Sequence, residues 1–237
     1  MRKLLSTLAV LLSLIAAIAV TAGVFIGIVV IQEKLFVPGD HLMWIFKYPF
    51  SRFVLIYQLL LMVGVFYVLN KKMKRKLGVT PSHPNHSFLH KNRRLMLSIF
   101  IFLNLALFYI LISAVTVIKE DEIRNYSYLS PQGEDYRYED VVKVEAGVYG
   151  DRFYLPFTHD QGDFYYVIEL PDGSKVDLTE VGGVKGQEDE RFVIEDIDRE
   201  LVDKGVPKDT SLRNFEYTKD HLAKKYTDSI HRILENK

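Results

Sequence analysis

The 237-residue chain contains no cysteine, and three long stretches of it contain no charged residue. Without cysteine the fold has no disulfide and no thiol chemistry, so burial alone must stabilise any folded domain. The uncharged stretches are Leu4–Ile31, Phe53–Asn70 and Leu95–Ile118, of 28, 18 and 24 residues. As helices, all three are long enough to cross about 30 Å of hydrocarbon. The sequence therefore predicts an α-helical transmembrane part with three spans, at about 4–31, 53–70 and 95–118.

Acidic residues are nearly absent from the first half of the chain. Residues 1–118 carry 13 Lys and Arg against two acids, whereas residues 119–237 carry 17 against 28. The formal net charge of zero is thus the sum of a basic and an acidic half. We expect a membrane domain over 1–118 and an acidic domain over 119–237.

The stretch Lys71–Arg94 has no acid but holds eight basic residues, and short basic loops stay on the cytoplasmic side of a membrane. This predicts a multi-pass protein of the cell membrane with a cytoplasmic N-terminus and an extracytoplasmic domain at 119–237. The residues expected to determine this topology are Lys71, Lys72, Lys74, Arg75, Lys76, Lys91, Arg93 and Arg94. Only Phe88 is aromatic in the loop, so nucleic acid is not an expected partner. The loop histidines His83, His86 and His90 have no companion carboxylate or thiol, and we interpret them as solvated.

The first apolar run also resembles a signal peptide, because Arg2 and Lys3 precede it and it contains an Ala-Val-Thr-Ala sequence. The apolar core of a signal peptide is about 7–15 residues long. This run continues well past that sequence, through VFIGIVVI, and therefore favours an uncleaved anchor. Cleavage is the alternative.

No Asp, Glu, Lys, Arg or His lies within the three runs, which argues against a pump or a proton-coupled transporter. The polar residues Gln58 and Asn104 are candidates for hydrogen bonds between helices, and Ala19, Gly23 and Gly27 form a stripe on which another helix could pack. We expect a membrane-protein partner or a homo-oligomer, in addition to the lipid bilayer. The aromatic loop FVPGDHLMWIFKYPF, at 36–50, suits a segment at the level of the lipid headgroups.

The acidic half predicts an α+β domain with one small antiparallel sheet covered by one or two helices. In DFYYVIELPDGSKVDL, alternate apolar residues flank the turn Pro171–Gly173, which is typical of a β-hairpin. The loop EVGGVKGQEDE follows and is expected to be mobile. Apolar spacing then predicts a short helix that contains Ile194 and Leu201 and ends at Gly205, and a longer amphipathic helix from Tyr217.

The phrases YEDVVKVE and YYVIELPDGSKVDL, after a cluster of apolar spans, resemble bacterial membrane proteins of unassigned function that carry a PH-like β domain. The resemblance covers about residues 113–205. It implies an interaction or sensing module on a membrane anchor, and it supplies no binding residues.

Motifs of enzymes are missing: there is no GxSxG, HExxH or Gly-rich phosphate loop. Thr158, His159, Asp160 and Asp163 form the one cluster of acid-like and base-like groups, in a predicted loop. Two acidic runs, at 188–190 and 196–200, are rich in oxygen ligands but lack the calcium-loop pattern, and we interpret them as solvated. We expect no cofactor and no catalytic activity. The function classes are a binding or sensing module, a structural or assembly subunit and, less favoured, a membrane-anchored enzyme; the ligand of the outer domain is not predicted.

Overall fold

The computed structural model describes residues 2–47, 93–151 and 159–236. The chain divides into two compact units. The first contains Met1–Ile31 and Pro49–Ile112, and the second contains Gln32–Tyr48 and Ser113–Lys237.

In the first unit, two apolar helices pack against each other. Helix α1 spans Arg2–Phe36 and helix α2 spans Arg93–Ser113. Their contact is centred on Ile28 and Leu111, which are buried, with partly buried neighbours at Val24, Leu107, Phe108 and Ile112. The faces away from this contact are also apolar, since Ile26 of α1 and Phe102 of α2 are 60% and 69% exposed. An apolar exterior of this kind is typical of helices that lie in lipid.

The prediction of three membrane spans is wrong. Among the described residues, one helix is long and apolar enough to cross a membrane, at Ile18–Phe36, and a shorter apolar helix lies at Ile101–Ser113. The predicted span at 53–70 lies outside the described residues. The predicted span at 95–118 is not one helix, because α2 ends at Ser113 and a buried strand begins at Val115.

The predicted single small sheet is also wrong, because the described residues of the second unit form two sheets. The strands are β1 Met43–Phe46, β2 Val115–Ile118, β3 Glu122–Asn125, β4 Glu134–Arg137, β5 Lys143–Val148, β6 Phe164–Glu169, β7 Lys175–Asp177, β8 Val181–Val184 and β9 Lys208–Thr210. The first sheet has five antiparallel strands in the order β4-β3-β2-β1-β8, and the second has four in the order β7-β6-β5-β9, with β9 parallel to β5.

The α+β character of the C-terminal half is confirmed. The helices are α3 Glu190–Asp203, α4 Phe215–Lys219 and α5 Lys224–Glu235, and short 3-10 turns lie at Tyr138–Asp140 and Lys185–Gln187. The core lies between the sheets and the helices, and its largest fully buried side chains are Tyr138, Tyr166, Met43, Ile45, Ile118, Ile123, Ile168, Leu170, Leu178, Ile194, Leu201 and Ile230.

The predicted hairpin is confirmed as β6–β7. Ile168 pairs with Val176 across it, and both face the core. The turn is closed by the Gly173 amide, which donates to the Leu170 carbonyl at 2.9 Å, and Gly173 adopts a φ of 79°. This left-handed conformation is one that glycine adopts without strain.

The prediction of the short helix is confirmed, and the prediction of one longer helix from Tyr217 is confirmed only in part. Helix α3 buries Ile194, Ile197 and Leu201 on one face and is followed by Gly205, at φ 79°. The second predicted helix is broken into α4 and α5, and α5 alone carries the amphipathic face with Ile230 and Ile233 buried.

The aromatic loop at 36–50 was expected at the membrane surface, but most of its described apolar residues belong to the sheet. Residues Met43–Phe46 form β1, which pairs with β2 on one side and β8 on the other. Trp44 is only 2% exposed. The segment EVGGVKGQEDE, predicted as a loop, is not a loop throughout, because its residues Val181–Val184 form β8.

Candidate functional site

A cluster of polar side chains joins the two sheets at the β6–β7 turn. We call it the Asp172 cluster, and its members are Lys47, Asn125, Glu134, Tyr136, Asp172 and Ser174. Asp172 shapes the turn, because its Oδ1 accepts a hydrogen bond from the Ser174 amide at 2.8 Å. A side-chain acceptor two residues before a backbone donor is the usual reason that Asp favours turns.

Asn125, on β3 of the other sheet, connects to this turn. Its Nδ2 donates to Ser174 Oγ at 3.1 Å and to Asp172 Oδ2 at 3.4 Å, and its Oδ1 accepts from Thr116 Oγ1 at 2.9 Å. Asn125 is 4% exposed, and each of these bonds satisfies a polar group in a buried position. The same Asn125 begins an Asn-Tyr-Ser sequon, but its amide is engaged inside the fold.

The charges of the Asp172 cluster alter the acidity of its members. Burial lowers the pKa of Lys47 from 10.5 to about 8, although the charges of Asp172 and Glu134 act to raise it. Burial and a hydrogen bond to Glu134 raise the pKa of Tyr136, whose hydroxyl donates to Glu134 Oε2 at 2.6 Å. Burial acts to raise the pKa of Asp172, but hydrogen bonds from Ser174 and the charge of Lys47 lower it overall.

Because the pKa of Lys47 is low, the reactivity of its amine should change with pH in a range that can be measured. An amine with a pKa of about 8 is half deprotonated at that pH, whereas ordinary lysines stay almost wholly protonated. We expect Lys47 to react with an amine-directed acylating reagent with an inflection near pH 8, as followed by competitive labelling and peptide mass spectrometry of the full-length protein.

Asp172→Asn tests whether the charge of Asp172 influences the pKa of Lys47. Since the Asp172 charge raises the pKa of Lys47, its removal should move the inflection to lower pH. An inflection near 10.5 in the unaltered protein, or one that Asp172→Asn leaves in place, would contradict the assignment.

A second polar cluster lies beneath the C-terminal helix. Lys208 of β9 and Asp198 of α3 form an ion pair, with Nζ 2.5 Å from Oδ1, and their side chains are 2% and 1% exposed. Lys208 also donates to the carbonyls of Ile233 and Asn236, at 2.5 and 2.8 Å. All three ammonium protons therefore have acceptors.

The carboxylate of this pair is equally well satisfied. Asp198 accepts from the Tyr166 hydroxyl and from Asn236 Nδ2, both at 2.8 Å. Burial lowers the pKa of Lys208 against the opposing effect of Asp198, and burial raises the pKa of Tyr166. An open cavity of about 350 Å³ adjoins the pair and is lined by Glu195, Asp198, Arg199, Arg232, Ile233, Glu235 and Asn236. Arg232 is already engaged with Glu195 through two hydrogen bonds.

The predicted cluster at 158–163 is brought together only in part. Thr158 lies outside the described residues. The His159 ring stacks on Tyr149 with centroids 4.0 Å apart, and the Asp160 amide donates to Asp163 Oδ2 at 2.8 Å. The contact between Asp160 and Asp163 closes a turn.

The two acidic runs are distributed among separate roles. Asp189 caps α3 by accepting from the Arg191 amide at 3.1 Å, Asp196 pairs with Arg199, and Asp198 is the buried residue described above. In the part of the chain that the structure describes, no group of three or more His, Asp or Glu residues could hold a metal ion.

The residues predicted to pack or orient the membrane helices are placed only in part. Ala19 and Gly23 are exposed and Gly27 half-buried on α1, and Asn104 is half-buried on α2. Arg93 and Arg94 are the first residues of α2. The others lie outside the described residues, namely Gln58, Lys71, Lys72, Lys74, Arg75, Lys76 and Lys91. The packing and topology roles of all these residues stay predictions.

Both polar clusters depend on contacts between residues that are far apart in the chain, and no local sequence pattern identifies such contacts. A scan against protein-family models finds no match, and searches of curated proteins and of solved structures find none either. The resemblance to proteins with a PH-like domain therefore stays a prediction.

Proposed function

We propose that the protein is anchored in the cell membrane by α1 and presents its folded domain outside the cytoplasm as an interaction or sensing module. The observation that carries the proposal is the apolar part of α1, at Ile18–Phe36. It is 19 residues long, and only 17% of its apolar window is buried. A core helix of a soluble protein would be mostly buried instead.

Exposure of this size is unfavourable in water. Ile15, Ile18 and Ile26 are 62%, 53% and 60% exposed. Each apolar Å² left in water costs about 25 cal/mol, so a helix that is apolar on all faces gains several kcal/mol when lipid covers it. A helix that is apolar on all its faces is stable in the hydrocarbon core of a lipid bilayer.

Retention of α1 is favoured over its removal as a signal sequence. Its last turn belongs to the same compact unit as the folded domain, where Gln32 is 2% exposed. The Phe36 ring packs on Tyr126 with centroids 4.7 Å apart. Cleavage after the Ala-Val-Thr-Ala sequence would interrupt a helix that is continuous from Arg2 to Phe36.

The strand pairing supports a domain that lies on one side of the membrane. Strand β1 follows α1 and is hydrogen-bonded to β2, which follows α2. Two paired strands must share a compartment, so any crossings between them are even in number. If α1 crosses once, the whole domain lies opposite the N-terminus, and Arg2 and Lys3 favour a cytoplasmic N-terminus.

As part of the same proposal, the domain binds and does not catalyse. The Asp172 cluster connects the two sheets, and the Asp198–Lys208 pair connects β9 with α3. Rigid polar connections of this kind maintain a surface for recognition. The partner class is a protein, a peptide or a component of the envelope.

The test combines extraction and topology. We expect the full-length protein to stay with the membrane pellet after an alkaline carbonate wash. A cysteine at Glu216, whose side chain is 81% exposed, should react with an impermeant maleimide in intact cells. A cysteine inserted after Met1 should react only after permeabilisation; the absence of native cysteine makes both signals specific. Release by carbonate would contradict anchoring, and the reverse labelling pattern would place the domain in the cytoplasm.

A second candidate function, as a subunit of a membrane complex, is favoured by one feature of α1. Helix α2 packs at Val24 and Ile28. Apart from the backbone of α1 and the residues next to each glycine in the chain, no described atom lies within 4 Å of the position that a Cβ would take on Gly23 or Gly27. Small residues with open space allow a second helix to approach closely. This second helix would come from a partner or from another copy of the chain.

We expect Gly23→Leu with Gly27→Leu to abolish crosslinked species that the unaltered protein forms in native membranes, because bulky side chains block close approach. Val20→Leu, at an exposed position already occupied by a large residue, is the control and should leave them intact. If the crosslinked species persist in the double substitution, the surface at Gly23 and Gly27 is not the site of helix contact.

A further inference from the structure

The loop between β3 and β4 has an exposed apolar tip formed by Tyr128 and Leu129. Leu129 is 80% exposed, a larger fraction than for any other large apolar side chain in the described residues, and Tyr128 is 44% exposed. Exposed leucines are common singly, but a neighbouring aromatic on the same tip is a feature of surfaces that meet another apolar phase.

The backbone of the loop holds this tip in place. The Ser127 amide donates to the Ser130 carbonyl and the Ser130 amide to the Ser127 carbonyl, both at 3.1 Å. The Ser130 amide also donates to Ser127 Oγ at 3.0 Å. Residues 128 and 129 are therefore presented by a closed turn.

The tip begins beside the end of the proposed membrane anchor. Tyr126 packs its ring on Phe36, the last residue of the apolar span, and its amide donates to the Val115 carbonyl at 2.9 Å. Leu129 follows Tyr126 by three residues, a reach of at most about 10 Å. The headgroup region beyond the hydrocarbon is about 6 Å deep on each side. The tip is therefore within reach of that region and of the hydrocarbon boundary.

The charge pattern of the loop fits a lipid surface. Residues 125–133, NYSYLSPQG, contain no charge, although residues 119–237 carry 28 acids. An acidic surface avoids anionic headgroups, whereas an uncharged tip does not. Tyrosine is enriched at the level of the headgroups, and leucine favours the acyl chains beneath.

We propose that Tyr128 and Leu129 insert into the surface of the membrane that holds α1. This inference rests on the proposed anchoring and adds a second lipid contact, made by the folded domain. The contact restrains the domain at a fixed height above the bilayer and limits which of its faces an envelope partner can reach.

The test uses single cysteines in the full-length protein, which has no native cysteine. An environment-sensitive NBD label is placed at Leu129, at Ile26 of α1 and at Leu212, which is 45% exposed and apolar. The protein is reconstituted in phosphatidylcholine vesicles. Iodide in the water is compared, as a quencher, with lipids that carry a doxyl group either near the top of the acyl chain, for Leu129 and Leu212, or near its end, for Ile26. Trp44 emission confirms that each variant is folded.

We expect the doxyl lipid to quench the label at Leu129 at least about twofold more than the label at Leu212, and iodide to show the opposite order. A label at Leu129 that is quenched by iodide and not by lipid would overturn the insertion. In that case, quenching of the Ile26 label by lipid would still support the anchoring. A label quenched by neither reagent would show that protein covers the tip, for example in a second copy, and would also overturn the insertion. A lack of lipid quenching at Ile26 would overturn the anchoring as well.

Discussion

Replacing Lys208 with methionine should destabilise the folded domain by about 3–5 kcal/mol, because it leaves the buried Asp198 carboxylate without its counter-ion. Both side chains are almost fully buried, and the pair connects β9, α3 and the end of α5. The measurement is denaturant unfolding of the full-length protein in detergent. Trp44, the single tryptophan of the chain, reports on the domain because it is buried in β1.

Lys224→Met is the matched control for this prediction. Lys224 pairs with Asp228 at 2.6 Å, but its side chain is 85% exposed. An exposed ion pair contributes about 0–1 kcal/mol, so the same substitution there should change stability little. Similar losses from Lys208→Met and Lys224→Met would show that the buried pair has no special role.

A double substitution separates the lost attraction from the uncompensated charge. Asp198→Asn removes the negative charge and keeps the shape of the side chain. Combined with Lys208→Met, it should cost less than the sum of the two single substitutions, because neither partner is left charged and unpaired. Additive losses would mean that the two residues stabilise the fold independently.

Local signals in the sequence were sufficient for several elements. The β6–β7 hairpin follows from alternation around Pro171–Gly173, and α3 from a 3.6-residue period that stops at Gly205. In each case the residues that specify the element lie within it. Period and turn chemistry are therefore readable without knowledge of the partners.

Elements stabilised by distant partners were misread. The uncharged run at 95–118 is continuous in sequence, but Val115–Ile118 leaves the helix because β1 and β3 pair with it. A short apolar run looks the same in a buried strand and in a helix. Pairing also converts the Gly-rich segment at 181–184 into β8, although glycine is depleted in strands.

The polar clusters were missed for the same reason. Asp198 belongs to an acidic run that suggested solvent, and nothing local identifies Lys208 as its partner in the interior. Asn125 and Asp172 are 47 positions apart in the chain. A contact of this separation becomes visible only when the sheets are assembled.

Replacing Gly182 with alanine should destabilise the domain by about 1–3 kcal/mol, because the added methyl group meets the ring of Trp44. A Cβ on Gly182 would overlap the ring carbons Cζ3, Cε3 and Cη2, and one on Gly183 would lie 2.7 Å from Nε1. The ring is 2% exposed between paired strands and has little room to move. Both a lower denaturation midpoint and an altered Trp44 emission are expected.

Gly39→Ala is the control for the loss of glycine itself. Apart from Gly39 and its two neighbours in the chain, no described atom lies within 4 Å of the Cβ position at Gly39, so this substitution should leave stability and Trp44 emission nearly unchanged. Trp44→Phe tests whether overlap with the Trp44 ring is the cause of the destabilisation, because the smaller ring leaves space next to Gly182. In that background, followed by circular dichroism, Gly182→Ala should cost less. If Gly182→Ala costs the same in the Trp44→Phe background as in the unaltered protein, the overlap is not its cause, and the glycine is needed for the irregular pairing of β8 with β1 between Trp44 and Ile45.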